Sequence, residues 1–277
     1  MFSRKNDILP GFRPTMAYTL FYLALIVLIP LGALLYNGSK AGFEGFTNVM
    51  KEERVLSAVY VSFGTALTAS AINCIFGLVI AWCIARYSFF GKEILDTLID
   101  LPLTLPTAVA GISLTAIYAE TGFMGKFLAK FGIKAVFNFT GITIALMFIG
   151  LPFIVRTVQP VIMELSKEDE EAASSLGATK FQTFRFVLFP VILPSLISGF
   201  GMAFSRCLGE YGSVIFISGN LPFKTEILPL IIVTKLEQYQ YQDATVIASF
   251  MLLCSLLILG ALNVLQKKTG TFKANGH

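Results

Sequence analysis

What most constrains this chain is where charge is missing. Stretches without Asp, Glu, Lys or Arg occupy residues 14–39, 55–85, 101–119, 135–155, 186–205 and 244–266. One ionised group at the centre of a bilayer costs ~2.5 to 3.5 kcal/mol on insertion scales, so such gaps locate membrane segments. Each is long enough, at about 1.5 Å per helical residue, to cross a hydrocarbon core of about 30 Å. The spacing predicts an all-α polytopic membrane protein with six transmembrane helices: a first span at 15–36, then spans at about 57–85, 101–119, 138–160, 191–216 and 244–266. Composition agrees, since 55% of the residues are hydrophobic and only 14% charged, where a soluble domain is about one-quarter charged. Intrinsic disorder and a disulfide-stapled secreted scaffold are excluded on the same ground.

The first apolar run, Thr15 to Tyr36, is 22 residues long. It exceeds the ~7 to 15 of a signal-peptide core and has no clean small-residue cleavage site after it, so it is read as a retained helix. With six spans both termini share one side. Placing them inside gives 12 Lys and Arg on the cytoplasmic flanks (Arg4, Lys5 and Arg13 among them) against 8 outside, so the positive-inside rule puts tails 1–14 and 267–277 in the cytoplasm. The net charge of +4 follows from these loops and does not imply nucleic-acid binding. Cys74, Cys83, Cys207 and Cys254 all lie in apolar stretches and the sole histidine is His277. No metal, haem or disulfide framework can be built from that set.

Two membrane segments cannot be regular. Asp100 opens a stretch that continues Leu101, Pro102, Leu103, Thr104, Leu105, Pro106, Thr107 and on to Gly111. Two prolines four apart break a helix, and freed carbonyls at membrane depth are tolerated only inside protein or beside a wet cavity. A kinked packing helix and a pathway lined by Thr104, Pro106 and Thr107 both fit. The fifth span is interrupted by Arg206, Cys207, Leu208, Gly209, Glu210, Tyr211 and Gly212. Arg206 and Glu210 share one helix face and can pair. An intramembrane ion pair suggests a gate more than a substrate contact, because Glu210 repels an anion that Arg206 attracts; a lock between helices is the alternative. Gly209 and Gly212 are suited to close backbone approach.

The most polar part of the chain, Arg156 to Arg185, lies between the fourth and fifth spans. Ser166 precedes Asp169 by three in a capping-box arrangement, and Glu168 to Glu171 put negative charge in a first helical turn. Ala172, Ala173 and Leu176 form a small apolar face, and Gly177 suits the left-handed position that ends a helix. Thr179 with Gln182 starts a second helix, expected to run to Pro190. The spacing Glu171, Ala172, Ala173, three residues, Gly177, nine residues, Val187, one residue, Phe189, Pro190 resembles the cytoplasmic signature of ABC-importer permeases: Glu-Ala-Ala, three residues, Gly, nine residues, Ile, one residue, Leu, Pro.

That resemblance implies a type I ABC importer permease fold across 57–265, with an accessory first helix and a coupling helix in loop 164–189 that docks on an ATPase through Glu171, Ala172, Ala173 and Gly177. No P-loop motif occurs, so ATP and Mg belong to a partner ATPase and this chain carries no cofactor of its own. The stretches DLPLTLPTAVAG (100–111), RTVQP (156–160), RCLGEYG (206–212) and VIFISG (214–219) look like those of the sulfate/thiosulfate permeases of the T type. Molybdate permeases share the general features but typically read Pro-Pro where Pro106 and Thr107 stand here, which favours sulfate. The implied assembly is this permease with a second, homologous permease, an ATP-binding subunit dimer and a periplasmic or surface-tethered sulfate-binding protein, in the bacterial cytoplasmic (inner) membrane. The outward loop 219–243 is expected to hold a short interfacial helix with Pro229 in its first turn, facing the binding protein or packing on the bundle. An ion-coupled secondary anion carrier is the rival from another class; it has few ionisable ligands to work with and leaves the Ala-Gly loop unexplained. A membrane enzyme lacks a nucleophile and base.

Overall fold

A computed structural model describes residues 12–274, with side chains from 14 to 266; the calls on the first eleven residues, on Arg13 and on the side chains from Lys267 to His277 lie outside the described residues. All the regular secondary structure among the described residues is helical. α1 (12–39) consists of Phe12–Leu23, a π-helical turn Ala24–Leu28 and Ile29–Ser39. There follow α2 (Gly42–Lys51), α3 (Glu53–Arg86), α4 (Lys92–Ile99), α5 (Leu101–Thr104), α6 (Thr107–Tyr118), α7 (Phe123–Ala129), α8 (Phe139–Met163) and α9 (Lys167–Ser175). α10 (Lys180–Leu208) contains a second π turn, Phe184–Leu188, and is followed by α11 (Val214–Ile217), α12 (Leu228–Glu237) and α13 (Tyr241–Ala274).

Among the described residues five helices are long and apolar enough to cross a membrane. The expected span at 101–119 is not one of them: it is divided into α5 and α6, with Leu105 and Pro106 extended between them. Pro106 cannot donate a backbone hydrogen bond and drives the residue before it out of the helical region, which accounts for the break. The fifth span differs too. Its helix begins at Lys180 and ends at Leu208, well short of 216, and the helix starting at Thr179 does not stop at Pro190. The π turn ends two residues before that proline, as the π turn in α1 ends two residues before Pro30. A widened turn gives the ring room against the carbonyl four residues back, so the rod continues. α13 likewise continues as helix into the expected tail, to Ala274.

α3, α8 and α10 form the core. α3 buries a ladder of small residues, Ala58, Ser62, Ala66, Ala69, Asn73, Gly77 and Ala81, at three- and four-residue intervals. This lets α8 approach closely: a Cβ on Gly77 would lie 2.9 Å from Ile154, and one on Gly199 of α10 would lie 3.1 Å from the Ile154 Cα. Dispersion contacts between small faces replace the hydrophobic effect that lipid cannot supply. Asn73 satisfies its amide by donating to the Met147 carbonyl (2.9 Å). Ile84, Ile154, Val158, Ile162, Leu188 and Ile192 fill one end of the bundle, and Val55, Leu228, Ile231 and Ile247 the other. α1 leans on α13, where Ser249 donates to the Leu34 carbonyl (3.3 Å) beside Gly38.

Candidate functional site

Loop 164–189 is built almost wholly from local hydrogen bonds. Ser166 caps α9, but its hydroxyl accepts from the Glu168 N–H (3.0 Å), not from Asp169. The helix ends as the glycine predicts. Gly177 has φ +81, its N–H donates to the Ser174 carbonyl (2.9 Å), and the Ala178 N–H donates to the Ala173 carbonyl (3.0 Å). That pair of bonds satisfies two carbonyls that would otherwise face water. Thr179 and Gln182 then form a complete capping box at the start of α10. Glu171, Ala172 and Gly177 are exposed, Leu176 is 89% exposed, and Ala173 is buried against the loop itself. The two alanines differ in exposure, Ala173 being buried while Ala172 lies at a surface. Ala172, Ala173, Leu176, Gly177, Gln182 and Phe186 line a shallow cleft of about 560 Å³.

The second constellation is non-local. α10 ends at Leu208, and Arg206 in its last turn lies 2.5 Å from Glu210, whose side chain is only 2% exposed. Glu210 also accepts from the Ser213 N–H (2.9 Å) and from the Ser213 hydroxyl (3.0 Å). Its carboxylate thus holds the turn between α10 and α11 while neutralising Arg206, and the buried charge is both paired and hydrogen-bonded. The two irregular segments meet here. A Cβ on Gly111 would lie 2.8 Å from the Ser213 Cα, and one on Gly212 would collide with the Thr107 side chain and stand 3.4 Å from the Ala108 nitrogen. Gly212 permits close approach as expected; Gly209 does not, since a Cβ there would meet nothing nearer than the Ser205 carbonyl at 3.8 Å. Thr104 is exposed and its hydroxyl donates to the Leu101 carbonyl (3.0 Å), Pro106 is exposed, and Thr107 is half-buried against Gly212.

Four charge clusters escaped sequence reasoning. Arg156 donates through Nε and Nη2 to both oxygens of Asp100 (2.9 and 2.7 Å), through Nη1 to Asp96 (2.7 Å) and Gln159 (2.9 Å), and through Nη2 to the Asp96 carbonyl (2.8 Å). This clamp fixes α4 and the entry to the broken segment onto α8. Arg86 pairs with Glu170. At the opposite end Arg54 grips Glu226 with Nε and Nη2 (2.7 and 2.5 Å), and the Ser62 hydroxyl accepts from the Leu228 N–H (2.7 Å). With Leu228 and Ile231 buried, α12 packs into the bundle, Pro229 in its first turn. Lys235 on α12 bridges Glu52 (3.2 Å) and Asp243 (2.9 Å); burial disfavours its charge, but these carboxylates hold its pKa above the ordinary lysine value. The available signal was position: each cluster contains a charge that borders a charge-free run, Arg54, Arg86, Asp100 with Arg156, and Asp243, where a side chain unable to reach water needs a partner.

The family model for binding-protein-dependent transport system inner membrane components matches residues 73–270. The sulfate transport system permease protein CysT of Salmonella typhimurium is 45% identical over 263 residues, covering 95% of each chain. Its namesake from Synechocystis sp. is 47% identical over 249 residues, 90% of this chain and 87% of the relative. Among solved structures, a bacterial ABC transporter involved in the import of the acidic polysaccharide alginate superposes with TM-score 0.71 at 17% identity, covering 93% of this chain and 95% of that one. The inward-facing MetNI methionine ABC transporter gives TM-score 0.59 at 15% identity, over 77% and 95%.

Proposed function

This chain belongs to the binding-protein-dependent transport system inner membrane components, and on that premise we propose that it is the permease subunit of an ATP-driven importer that passes sulfate, and thiosulfate with it, by alternating access. The observation that carries the substrate is full-length likeness, at 45% and 47% identity, to permeases named for sulfate transport. Molybdate is not favoured by those relatives.

The chemistry of the chain suits a passage rather than a high-affinity site. A sulfate dianion cannot enter hydrocarbon, and holding it tightly takes several donors or positive charges. Arg206, in the last turn of α10, has its charge balanced by Glu210. Selection therefore falls to a sulfate-binding protein outside the membrane, and the permease supplies a route bordered by Thr104, Pro106 and Thr107, with Arg206, Gly209, Glu210 and Gly212 at the gate. The meeting of Gly111 with Ser213 and of Thr107 with Gly212 supports this reading, because a shift of either broken segment must move the other. α9 is the coupling helix, presenting Glu171 and Ala172 and its cleft to one ATP-binding subunit of a dimer that holds ATP and Mg, while Ala173 and Gly177 fix its shape. A second, homologous permease completes the membrane part, and both termini face the cytoplasm.

The test is uptake of labelled sulfate into vesicles holding this permease with its partner permease, ATPase and binding protein, comparing wild type with Glu171→Ala plus Gly177→Asp. Uptake that needs ATP and collapses in the variant is the expected result. Uptake of molybdate without sulfate would remove the substrate, and uptake by this chain alone on an ion gradient would replace the importer with a carrier.

A further inference from the structure

α9 is covalently joined to α8 through residues 164–166 and to α10 through residues 176–179. A third connection is not covalent. Arg86, the last residue of α3, places Nη2 2.5 Å from Glu170 Oε1 in the first turn of α9. Among the described residues this is the ion pair that ties α9 to another element. Each charge sits at the helix end whose dipole favours it, the cation at a C-terminus and the anion at an N-terminus.

The contact continues inward. The Arg86 guanidinium lies over the ring of Trp82, 5.6 Å from its centroid, and Trp82 meets Phe184 edge-on at 5.6 Å. Phe184 is the first residue of the π turn in α10 and packs at 5.9 Å on Phe189, the first residue after it. Glu170, Arg86, Trp82 and Phe184 thus form an unbroken series of directional contacts from the coupling helix, across the end of α3, to the irregular turn of α10.

Stability does not account for the pair. The side chains of Arg86 and Glu170 are 19% and 37% exposed, and ion pairs reached by water contribute little. The Arg86 Nε is buried without a hydrogen-bond partner, a feature that subtracts from stability. What the arrangement does supply is stiffness between α9 and the π turn of α10, an irregularity of the kind frequent at functional sites.

We propose that Arg86 is a positioning residue that carries displacement of the coupling helix into α3 and, through Trp82, into the π turn of α10, so that nucleotide-driven movement reaches three membrane helices instead of the two to which α9 is covalently joined. The inference rests on the coupling reading of loop 164–189 given above.

The experiment measures sulfate uptake and ATP hydrolysis in parallel in vesicles containing the full complex. Arg86→Gln and Glu170→Gln are each expected to raise the ATP hydrolysed per sulfate imported about tenfold, with the ATPase still bound. The reversed pair, Arg86→Glu with Glu170→Arg, is expected to recover more than half of the uptake, and the ATP-to-sulfate ratio separates the relay from a merely structural loss, which would lower hydrolysis and uptake together. Where Arg86→Gln lowers the yield of complex, Trp82→Leu keeps the ion pair, removes the stacking face and is expected to change the ratio in the same direction. An unchanged ratio in both Gln variants, or a reversed pair no better than the single variants, overturns the relay. Cross-linking from Ala172→Cys to the ATPase separates the two failures: no cross-link overturns the coupling reading itself, whereas a cross-link with unchanged ratios overturns the relay alone.

Discussion

Two glycines each follow the end of a helix, Gly177 in loop 164–189 and Gly209 ahead of the buried turn at Glu210 and Ser213, and they end their helices by different means. Gly177 adopts φ +81, and the turn is closed by its own N–H donating to the Ser174 carbonyl and the Ala178 N–H donating to that of Ala173. Gly209 stays at φ −86, and the turn after it is closed by the Glu210 carboxylate accepting from Ser213. In water the last carbonyls of a short helix need only local satisfaction, so a left-handed glycine suffices. Within the bundle, the turn must also fit against another segment. There the steric freedom of glycine is used at Gly212 and Gly111, where Thr107 and Ser213 crowd in, and the polar work passes to a side chain. A glycine's task follows from what surrounds it more than from its position after a helix.

The sharpest break of this comparison is steric. Gly111→Val and Gly212→Val both insert atoms where another segment already stands, Ser213 backbone in the first case and Thr107 in the second. Overpacking of this kind costs ~1 to 3 kcal/mol or more when backbone is the obstacle, so uptake or yield of assembled complex is expected to fall tenfold or further. Gly209→Ala, by contrast, meets nothing closer than 3.8 Å; its uptake is expected to stay within a factor of about two, as for unobstructed substitutions generally. Equal losses at Gly209 and Gly212 would show that proximity to α6 is not what matters. Next in size is Glu210→Ala, which leaves Arg206 unpaired and the Ser213 N–H without its acceptor. The expected loss is about 2 kcal/mol, below the ~3 to 5 of a fully buried pair because water reaches the Arg206 side chain. The change in thermal midpoint of the purified complex measures it.

The same contrast governs what the sequence revealed. The end of α9 at Gly177, the Thr179–Gln182 capping box and the break at Pro106 are local matters, set by bonds and clashes within four residues, and spacing alone announces them. The type I importer permease fold followed from charge-free runs and from a loop signature of fixed spacing. What spacing could not announce is contact between segments 56 or more residues apart: that Gly111 meets Ser213, that Arg156 closes on Asp96 and Asp100, that Arg86 reaches Glu170. Nor could it give helix length past a proline, because the π turn before Pro190 lets α10 run on where proline usually signals a stop. Residues judged by type alone were misread on the same account, as with Gly209.

A smaller effect is expected at Gly177. Placing an L side chain at a left-handed position costs ~1 to 2 kcal/mol, and Asn tolerates that region better than Ala. Gly177→Ala is therefore expected to weaken capture of the ATPase by the detergent-solubilised permease about fivefold, and Gly177→Asn less. Identical losses in the two variants would mean that the side chain, and not the backbone conformation, is what the partner cannot accept.

The smallest structural effect belongs to Thr104, and it separates the two readings of the broken segment. Its hydroxyl donates to the Leu101 carbonyl within its own short helix, and the residue is otherwise exposed. Thr104→Val keeps the shape, and surface substitutions of this kind stay within about 0.5 kcal/mol, so the stability of the complex is expected not to move. If the segment only packs, uptake does not move either. If it borders the route of a hydrated anion, replacing a hydroxyl by a methyl group removes a hydrogen-bonding position from that route and sulfate uptake falls about threefold, as expected for ~0.7 kcal/mol of lost interaction, within the range of a single neutral hydrogen bond. Thr107→Val is a poorer probe because its side chain already fills the space beside Gly212, where packing and pathway effects are mixed. Uptake by Thr104→Val equal to wild type, at unchanged stability, would return the segment from the pathway to the packing of the bundle.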